Sequence, residues 1–149
     1  MEIRVCNDLD NFIAIDIEGL DNILLVEDNC YLVPEIPTDS LAGIHSITYE
    51  GPIADSLLYF GALFAIPQDY ATNPNFDKTK IPFIDFEVNY NGVNCVKLPL
   101  VDITASFNEL AIVSGSIVKG SFSGQVGCSS PNQALAERQV SGSFSVLVK

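Results

Sequence analysis

Residues 118–126 have the sequence Val-Lys-Gly-Ser-Phe-Ser-Gly-Gln-Val, and residues 140–148, 22 positions later, have the sequence Val-Ser-Gly-Ser-Phe-Ser-Val-Leu-Val. Side chains alternate between the two faces of a strand, so each stretch places Val, Gly and Phe on one face and mostly serine and other small or polar residues on the other. A ring that lies over a neighbouring glycine covers its backbone and strengthens a weak strand position. The two stretches therefore predict neighbouring strands, or an antiparallel hairpin, with Phe122 and Phe144 buried.

Two further stretches show the same period of two. Residues 11–18 place Ile13, Ile15 and Ile17 on one face, and residues 82–90 place their apolar side chains on one face. The inward side chains predicted for residues 82–90 are Ile84, Phe86, Val88 and Tyr90. Asn91-Gly92 then separates two alternating runs, which is the strongest short-range signal for a two-residue β-hairpin turn.

The remaining segments indicate short strands joined by turns. Strands are predicted at residues 3–6, 23–26, 46–50, 101–107 and 110–118, with loops at 34–46, 69–79 and 127–139. The apolar run at residues 57–66 suits a buried strand or a short buried helix capped by Asp55 or Ser56, and its aromatics, Gly61 and Pro67 favour the strand. Only residues 133–138 look like a turn or two of helix. About nine strands and almost no helix predict one all-β domain over residues 1–149, an antiparallel β-sandwich that is Ig-like or jelly-roll-like, with a β-barrel as the alternative.

The composition excludes several classes of protein. The 149 residues are 48% hydrophobic and 17% charged, which excludes intrinsic disorder. The formal net charge is −12 and no basic cluster is present, so the chain is not expected to bind nucleic acid or anionic lipid. The longest apolar run, residues 57–66, is too short to span a membrane.

The four cysteines form no C-x-x-C pair, which disfavours a zinc knuckle or a redox motif. An even number of widely separated cysteines suits two disulfides, and four cysteines allow three pairings. We predict Cys6 with Cys30 and Cys95 with Cys128, because these pairs close the shortest loops. Disulfides imply an oxidising compartment, whereas the alternative is four buried thiols in a reducing cytosol.

No residue pattern reaches the level of a catalytic signature. His45 is the only histidine, and no Gly-x-Ser-x-Gly elbow surrounds any serine. Asp16 with Glu18, and Asp85 with Glu87, each lie two positions apart on one strand face, about 6.5–7 Å between Cα atoms. That distance suits the two acids of an inverting glycosidase, but any outward strand face with two acids produces it.

Calcium is the metal that the sequence favours most. Asp8 and Asp10 lie between Asn7 and Asn11, so four side chains in five residues offer oxygen ligands. The segment lacks the glycine and the distal Glu of an EF-hand loop. The alternative is a solvated acidic surface without a metal, and no other cofactor is predicted.

The two Gly-Ser-Phe-Ser motifs in the last 60 or so residues resemble the small secreted or lipid-anchored β-sandwich domains of unknown function in Gram-negative bacteria. The resemblance rests on glycine and aromatic spacing, and this chain has no lipobox cysteine at its start. It implies cell-envelope localisation and a binding or structural role, and it supplies no catalytic residues.

The expected function is therefore a non-enzymatic module, secreted or at the cell surface or periplasm, that binds carbohydrate or protein or has a structural role. One alternative is a subunit of a filament or virion, which would make the chain a homo-oligomer. Another is a carboxylate-dependent glycan or ester hydrolase. The first residues, Met-Glu-Ile-Arg-Val, are not a signal peptide, so either the protein is cytoplasmic or a leader has been removed before Met1.

Overall fold

The computed structural model describes residues 12–20, 23–26, 31–34, 42–53, 56–67, 69–90, 92–113 and 115–148. These residues form strands and connections, with no helix among them. The strands are β1 (Phe12–Ile17), β2 (Ile23–Val26), β3 (Tyr31–Pro34), β4 (Ala42–Ile53), β5 (Ser56–Pro67), β6 (Ile81–Tyr90), β7 (Val93–Lys97), β8 (Ile103–Glu109), β9 (Ile117–Ser130) and β10 (Gln133–Val148). The predicted strand at residues 3–6 lies outside the described residues.

The strands join in one continuous sheet whose pairings return to their starting point. From β10 they run through β3, β4, β5, β6, β7 and β9 and back to β10, while β1 and β2 extend from β10 and β8 bridges β6 and β9. All pairings are antiparallel except the short contact between β3 and β10. The prediction of an antiparallel all-β fold is confirmed. The β-sandwich and its alternative, the β-barrel, stay predictions. Such a ring of pairings suits both the flattened cross-section of a sandwich and the rounded cross-section of a barrel.

The twin motif forms the longest pairing of the sheet, as an antiparallel hairpin of β9 and β10. Gly142 lies opposite Phe122, and Gly120 lies opposite Phe144. Each glycine is therefore covered by the ring of the other strand: a Cβ added at Gly120 would lie 2.8 Å from the Phe144 ring. The predicted inward residues Val118, Phe122, Val126, Val140, Phe144 and Val148 are all buried. Both the face assignment and the covering of the glycines are confirmed.

Phenylalanine rings link the strands across the core. Phe122 contacts Phe83 and Phe86, with ring centroids 5.7 and 5.6 Å apart. Phe144 contacts Phe107 at 5.5 Å, and Phe107 contacts Phe64 at 5.3 Å. Phe122 and Phe144 lie 6.5 Å apart, so these contacts together join β5, β6, β8, β9 and β10 into one hydrophobic core. Such ring pairs add about 0.5–1.5 kcal/mol each beyond burial.

Cys95 and Cys128 lie directly opposite each other on β7 and β9. Their sulfur atoms are bonded, at 2.13 Å, and both residues are buried. This predicted disulfide is present, and it joins strands that are already neighbours. The second predicted pair, Cys6 and Cys30, lies outside the described residues.

The Asn-Gly hairpin between β6 and β7 is confirmed. Tyr90 and Val93 are paired, and Gly92 has φ of +79°. Asn91 lies outside the described residues. The strands predicted at 11–18, 23–26, 46–50 and 57–66 correspond to β1, β2, part of β4 and β5.

The inward position predicted for Ile84 is wrong. Leu63 pairs with Asp85 but Phe64 pairs with Phe83, so Ile84 is the extra residue of a β-bulge and is 54% exposed. A bulge reverses the alternation on its N-terminal side, which brings Phe83 and Ile81 into the core instead. Phe86 and Val88, beyond the bulge, are buried as predicted, and Tyr90 packs against the core.

Three segment predictions in the C-terminal part of the chain are also wrong. Residues 133–138 are strand, not helix, because they pair with β9 around a tight turn at Pro131 and Asn132. The loop predicted over 127–139 is therefore only two residues long. Residues 110–113, 115 and 116 are not strand; β9 begins at Ile117, and Ile112 donates its N–H to the Tyr70 hydroxyl at 2.9 Å. The strand predicted at 101–107 runs instead from Ile103 to Glu109.

Candidate functional site

The outward side chains of β8, β9 and β10 form two rows of hydroxyl groups. One row consists of paired residues from the three strands, Thr104, Ser123 and Ser141. The next row consists of Ser106, Ser121 and Ser143. Neighbouring strands lie about 4.8 Å apart and successive rows about 6.5–7 Å apart. We call these six residues the hydroxyl face. It is a polar surface without large side chains, because it consists of serines and one threonine.

The hydroxyl face ends at an open groove beside β1. Asp16 pairs with Ser141, and the N–H of Glu18 donates to the carbonyl of Gln139 at 3.0 Å, so both acids lie next to β10. The groove has a volume of about 480 Å³ and is lined by Asp16, Glu18, Ser123, Gln139, Val140 and Ser141. We call this set the polar groove. Its volume is in the range of small-ligand sites, about 300–1,000 Å³, and all of its lining residues except Val140 have polar side chains.

The turn after β1 holds the acidic side of the polar groove in place. Gly19 has φ of +80°, a conformation that glycine adopts without strain, and Leu20 donates its N–H to Ile17. Arg138 donates from Nη1 to the Glu18 carbonyl at 2.8 Å, across from β10. A Cβ at position 19 would collide with this guanidinium. The backbone that carries Glu18 is thus fixed from both strands.

The electrostatics of the polar groove favour neutral or cationic ligands. Asp16 and Glu18 are both exposed, and no Lys or Arg is among the lining residues. The whole chain has a net charge of −12, which adds to the repulsion of anions. Carboxylates, hydroxyls and the Gln139 amide can accept and donate hydrogen bonds to a ligand with many hydroxyl groups.

The structure separates the two carboxylate pairs. Asp16 and Glu18 share the polar groove, whereas Asp85 and Glu87 lie on β6 and the Asp85 carboxylate accepts the N–H of Phe86 at 2.9 Å. His45, expected in the turn-rich connection, lies in strand β4 opposite Pro34 and Phe64.

The proposed calcium ligands Asp8 and Asp10 lie outside the described residues. Among the residues that the structure does describe, no three His, Cys, Asp or Glu side chains cluster as a metal site would require.

Ser123, Gln139 and Ser141 were not singled out from the sequence as site residues. The period of two predicts that the serines of the twin motif face outward, and this is correct for Ser121, Ser123 and Ser141. Ser145 is an exception at 2% exposed. The local sequence does not predict that β1 pairs with β10, and this pairing brings Asp16 and Glu18 to the serines.

Within the described residues, no helix has the length and apolar character of a membrane span. Comparison with family models, with curated proteins and with solved structures finds no match to this chain.

Proposed function

We propose that this chain is a non-enzymatic module, secreted or associated with the cell envelope, that binds a neutral carbohydrate in the polar groove. The observation that supports it is the lining of the groove, where β1 with its following turn, β9 and β10 bring together two carboxylates, two serine hydroxyls and an amide. Sugars are recognised by such hydrogen-bonding groups on a rigid scaffold, and rigid strands hold side chains more precisely than loops do.

Two features support the compartment and the ligand charge. The bonded Cys95 and Cys128 suit an oxidising environment, as in secreted and periplasmic proteins. The carboxylates of the groove and the acidic chain disfavour sulfated or phosphorylated glycans, so the ligand is proposed to be neutral.

The test is an NMR titration of the ¹⁵N-labelled protein with a panel of neutral oligosaccharides. We expect the largest amide shifts at Ser123, Gln139 and Ser141, and weaker binding for Asp16→Asn and Glu18→Gln. Glu109→Gln is the matched control, because it removes an equal charge from an exposed site on β8 outside the groove. Shifts that cluster elsewhere, or a panel without any binder, would contradict the proposal.

A carboxylate-dependent hydrolase is the second candidate, favoured by the presence of Asp16 and Glu18 in one groove. A general acid in such an enzyme needs a pKa raised by burial, whereas both side chains here are exposed. The same variants separate the two candidates. Product release that Asp16→Asn abolishes while binding persists would favour the hydrolase.

A further inference from the structure

The polar groove lies between two rows of side chains that cross the strands. Its lining includes Val140, whose side chain is buried in the core, so the backbone of β10 at Val140 forms the floor. Gln139 and Ser141 therefore lie on opposite sides of the groove, with their Cα atoms about 6.5–7 Å apart. A ligand between them can form hydrogen bonds with both sides.

Strand pairing extends both rows beyond the groove. The first row has one polar side chain on each of four strands, β1, β10, β9 and β8: Asp16, Ser141, Ser123 and Thr104. The second row begins in the turn after β1 and continues on β10 and β9: Glu18, Gln139 and Gln125. Directly paired residues point to the same face of a sheet, so Gln125 and Thr104 lie on the side of the groove. Both are partly exposed.

The neighbouring rows do not continue the groove along the strands. On one side the next row contains Ser121 and Ser143, but its β1 member is Ala14, and none of these three residues is part of the groove lining. On the other side the apolar side chains of Leu98 and Leu135 lie over β9. Hydrogen-bonding side chains therefore continue from the groove across the strands, towards β8.

We propose that the groove binds a linear oligosaccharide of at least three units, which crosses the strands from β1 to β8; this inference rests on the proposed function. The three strand spacings between β1 and β8, at about 4.8 Å each, cover about 14 Å. A pyranose unit of an extended glycan is similar in length to one strand spacing, so successive units meet successive strands. The first unit lies between Asp16 and Glu18, and the third contacts Thr104.

The two ends of this path differ in chemistry. Asp16 and Glu18 belong to opposite rows, so they accept hydrogen bonds from hydroxyls on opposite edges of the first unit. Towards β8 the side chains are amides and hydroxyls, whose neutral hydrogen bonds are weaker than those of carboxylates. The first unit therefore supplies much of the affinity, and the third adds a contribution that shorter sugars lack.

Isothermal titration calorimetry with cello-, xylo-, manno- and maltooligosaccharides of one to six units tests the length. In the series that binds, we expect the Kd to fall at least about tenfold from one unit to three and then to level off. The additional registers available to a longer chain increase affinity only in proportion to its length, without levelling off.

Thr104→Val tests the direction, because it removes one hydroxyl and keeps the shape of the side chain. It should raise the Kd of the trisaccharide about two- to tenfold and leave that of the disaccharide unchanged. Asp16→Asn should weaken binding at every length. Ser106→Ala is the matched control, since it removes a hydroxyl from the same strand in the next row, outside the groove.

The outcomes separate this inference from the proposed function. Equal affinity for one and for three units, with amide shifts at Ser123 and Ser141, overturns the extended ligand and leaves the proposed function intact. A loss of trisaccharide affinity in Ser106→Ala but not in Thr104→Val shows that the chain runs along the strands, which also overturns the inference. Absence of binding throughout the four series contradicts both.

Discussion

At the scale of single residues, the fold depends on two glycines that face two rings. Gly120 lies under Phe144 and Gly142 lies under Phe122, so the ring of each strand covers the glycine of the other strand. The arrangement explains why the motif occurs twice with the same spacing. In an antiparallel pair, Gly two positions before Phe on both strands produces two reciprocal contacts at once.

Phe144→Ala is expected to reduce the free energy of unfolding by about 3–5 kcal/mol. The Phe144 ring is 2% exposed and contacts Phe107 and Phe122, so its loss leaves a cavity and uncovers Gly120. Ser143→Ala, one position earlier on the outer face, should cost well under about 1 kcal/mol. Urea unfolding of both variants checks the difference, and equal losses would contradict the assignment of faces.

The carboxylate of Asp77 accepts two hydrogen bonds within its own exposed loop. It accepts hydrogen bonds from the Thr79 hydroxyl at 2.6 Å and the Thr79 N–H at 2.9 Å. These bonds, the hydroxyl first, hold the pKa of Asp77 below its usual value. A lowered folded-state pKa means that the stabilisation is present above the unfolded pKa and is lost as the pH falls through the folded one.

Thr79→Ala should therefore raise the pKa of Asp77, whereas Thr79→Ser, which keeps the hydroxyl, should leave it low. Carbon-13 NMR of the Asp77 carboxyl group during an acid titration measures both values. Identical titration curves for the alanine and serine variants would show that the hydroxyl contributes nothing.

At the scale of strands, the sequence predicts those elements whose signals are local. The alternation of Ile13, Ile15 and Ile17 predicts β1, and Asn-Gly predicts the β6–β7 turn. Residues 133–138, Gln-Ala-Leu-Ala-Glu-Arg, contain strong helix formers, yet pairing with β9 makes them strand. The bulge at Ile84 is likewise set by the partner strand β5, which the local pattern does not reveal.

Gly92→Val is expected to destabilise the protein by at least about 1 kcal/mol, because a β-branched residue tolerates positive φ poorly. A Cβ at position 92 meets no atom within 4 Å, so the cost comes from the backbone conformation alone. Gly92→Asn is the matched control, since asparagine adopts this conformation more readily. Thermal unfolding should rank the proteins Gly, Asn, Val, and a valine variant as stable as the asparagine variant would contradict this.

At the scale of the whole molecule, long-range pairing decides both the core and the candidate site. β1 meets β10 from the opposite end of the chain, and only this pairing joins Asp16 and Glu18 to Ser141. No local pattern encodes a contact over such a distance, so the sequence identifies the acidic pair and the outward serines only as separate features. The outward direction of the serines can be predicted from the sequence, but their proximity to Asp16 and Glu18 cannot.

The strand pairing also determines how the Cys95–Cys128 disulfide contributes to stability. It links β7 to β9, which pair without it, so its loss should weaken the fold without changing the strand order. We expect Cys95→Ala with Cys128→Ala to lower the free energy of unfolding by about 2–4 kcal/mol, while the far-ultraviolet circular dichroism stays that of a β protein. For a chain of this length that corresponds to a fall in Tm of about 5–15 °C.

Alanine substitution isolates this bond, whereas a reducing agent would also act on any bond at Cys6 and Cys30. The two single variants give the control, because each alone already breaks the disulfide. If the bond forms in solution, the double variant should lose much less stability than the sum of the two single variants, since one interaction is removed in all three. Losses that add fully would indicate two independent buried thiols, and would remove the strongest support for an oxidising compartment.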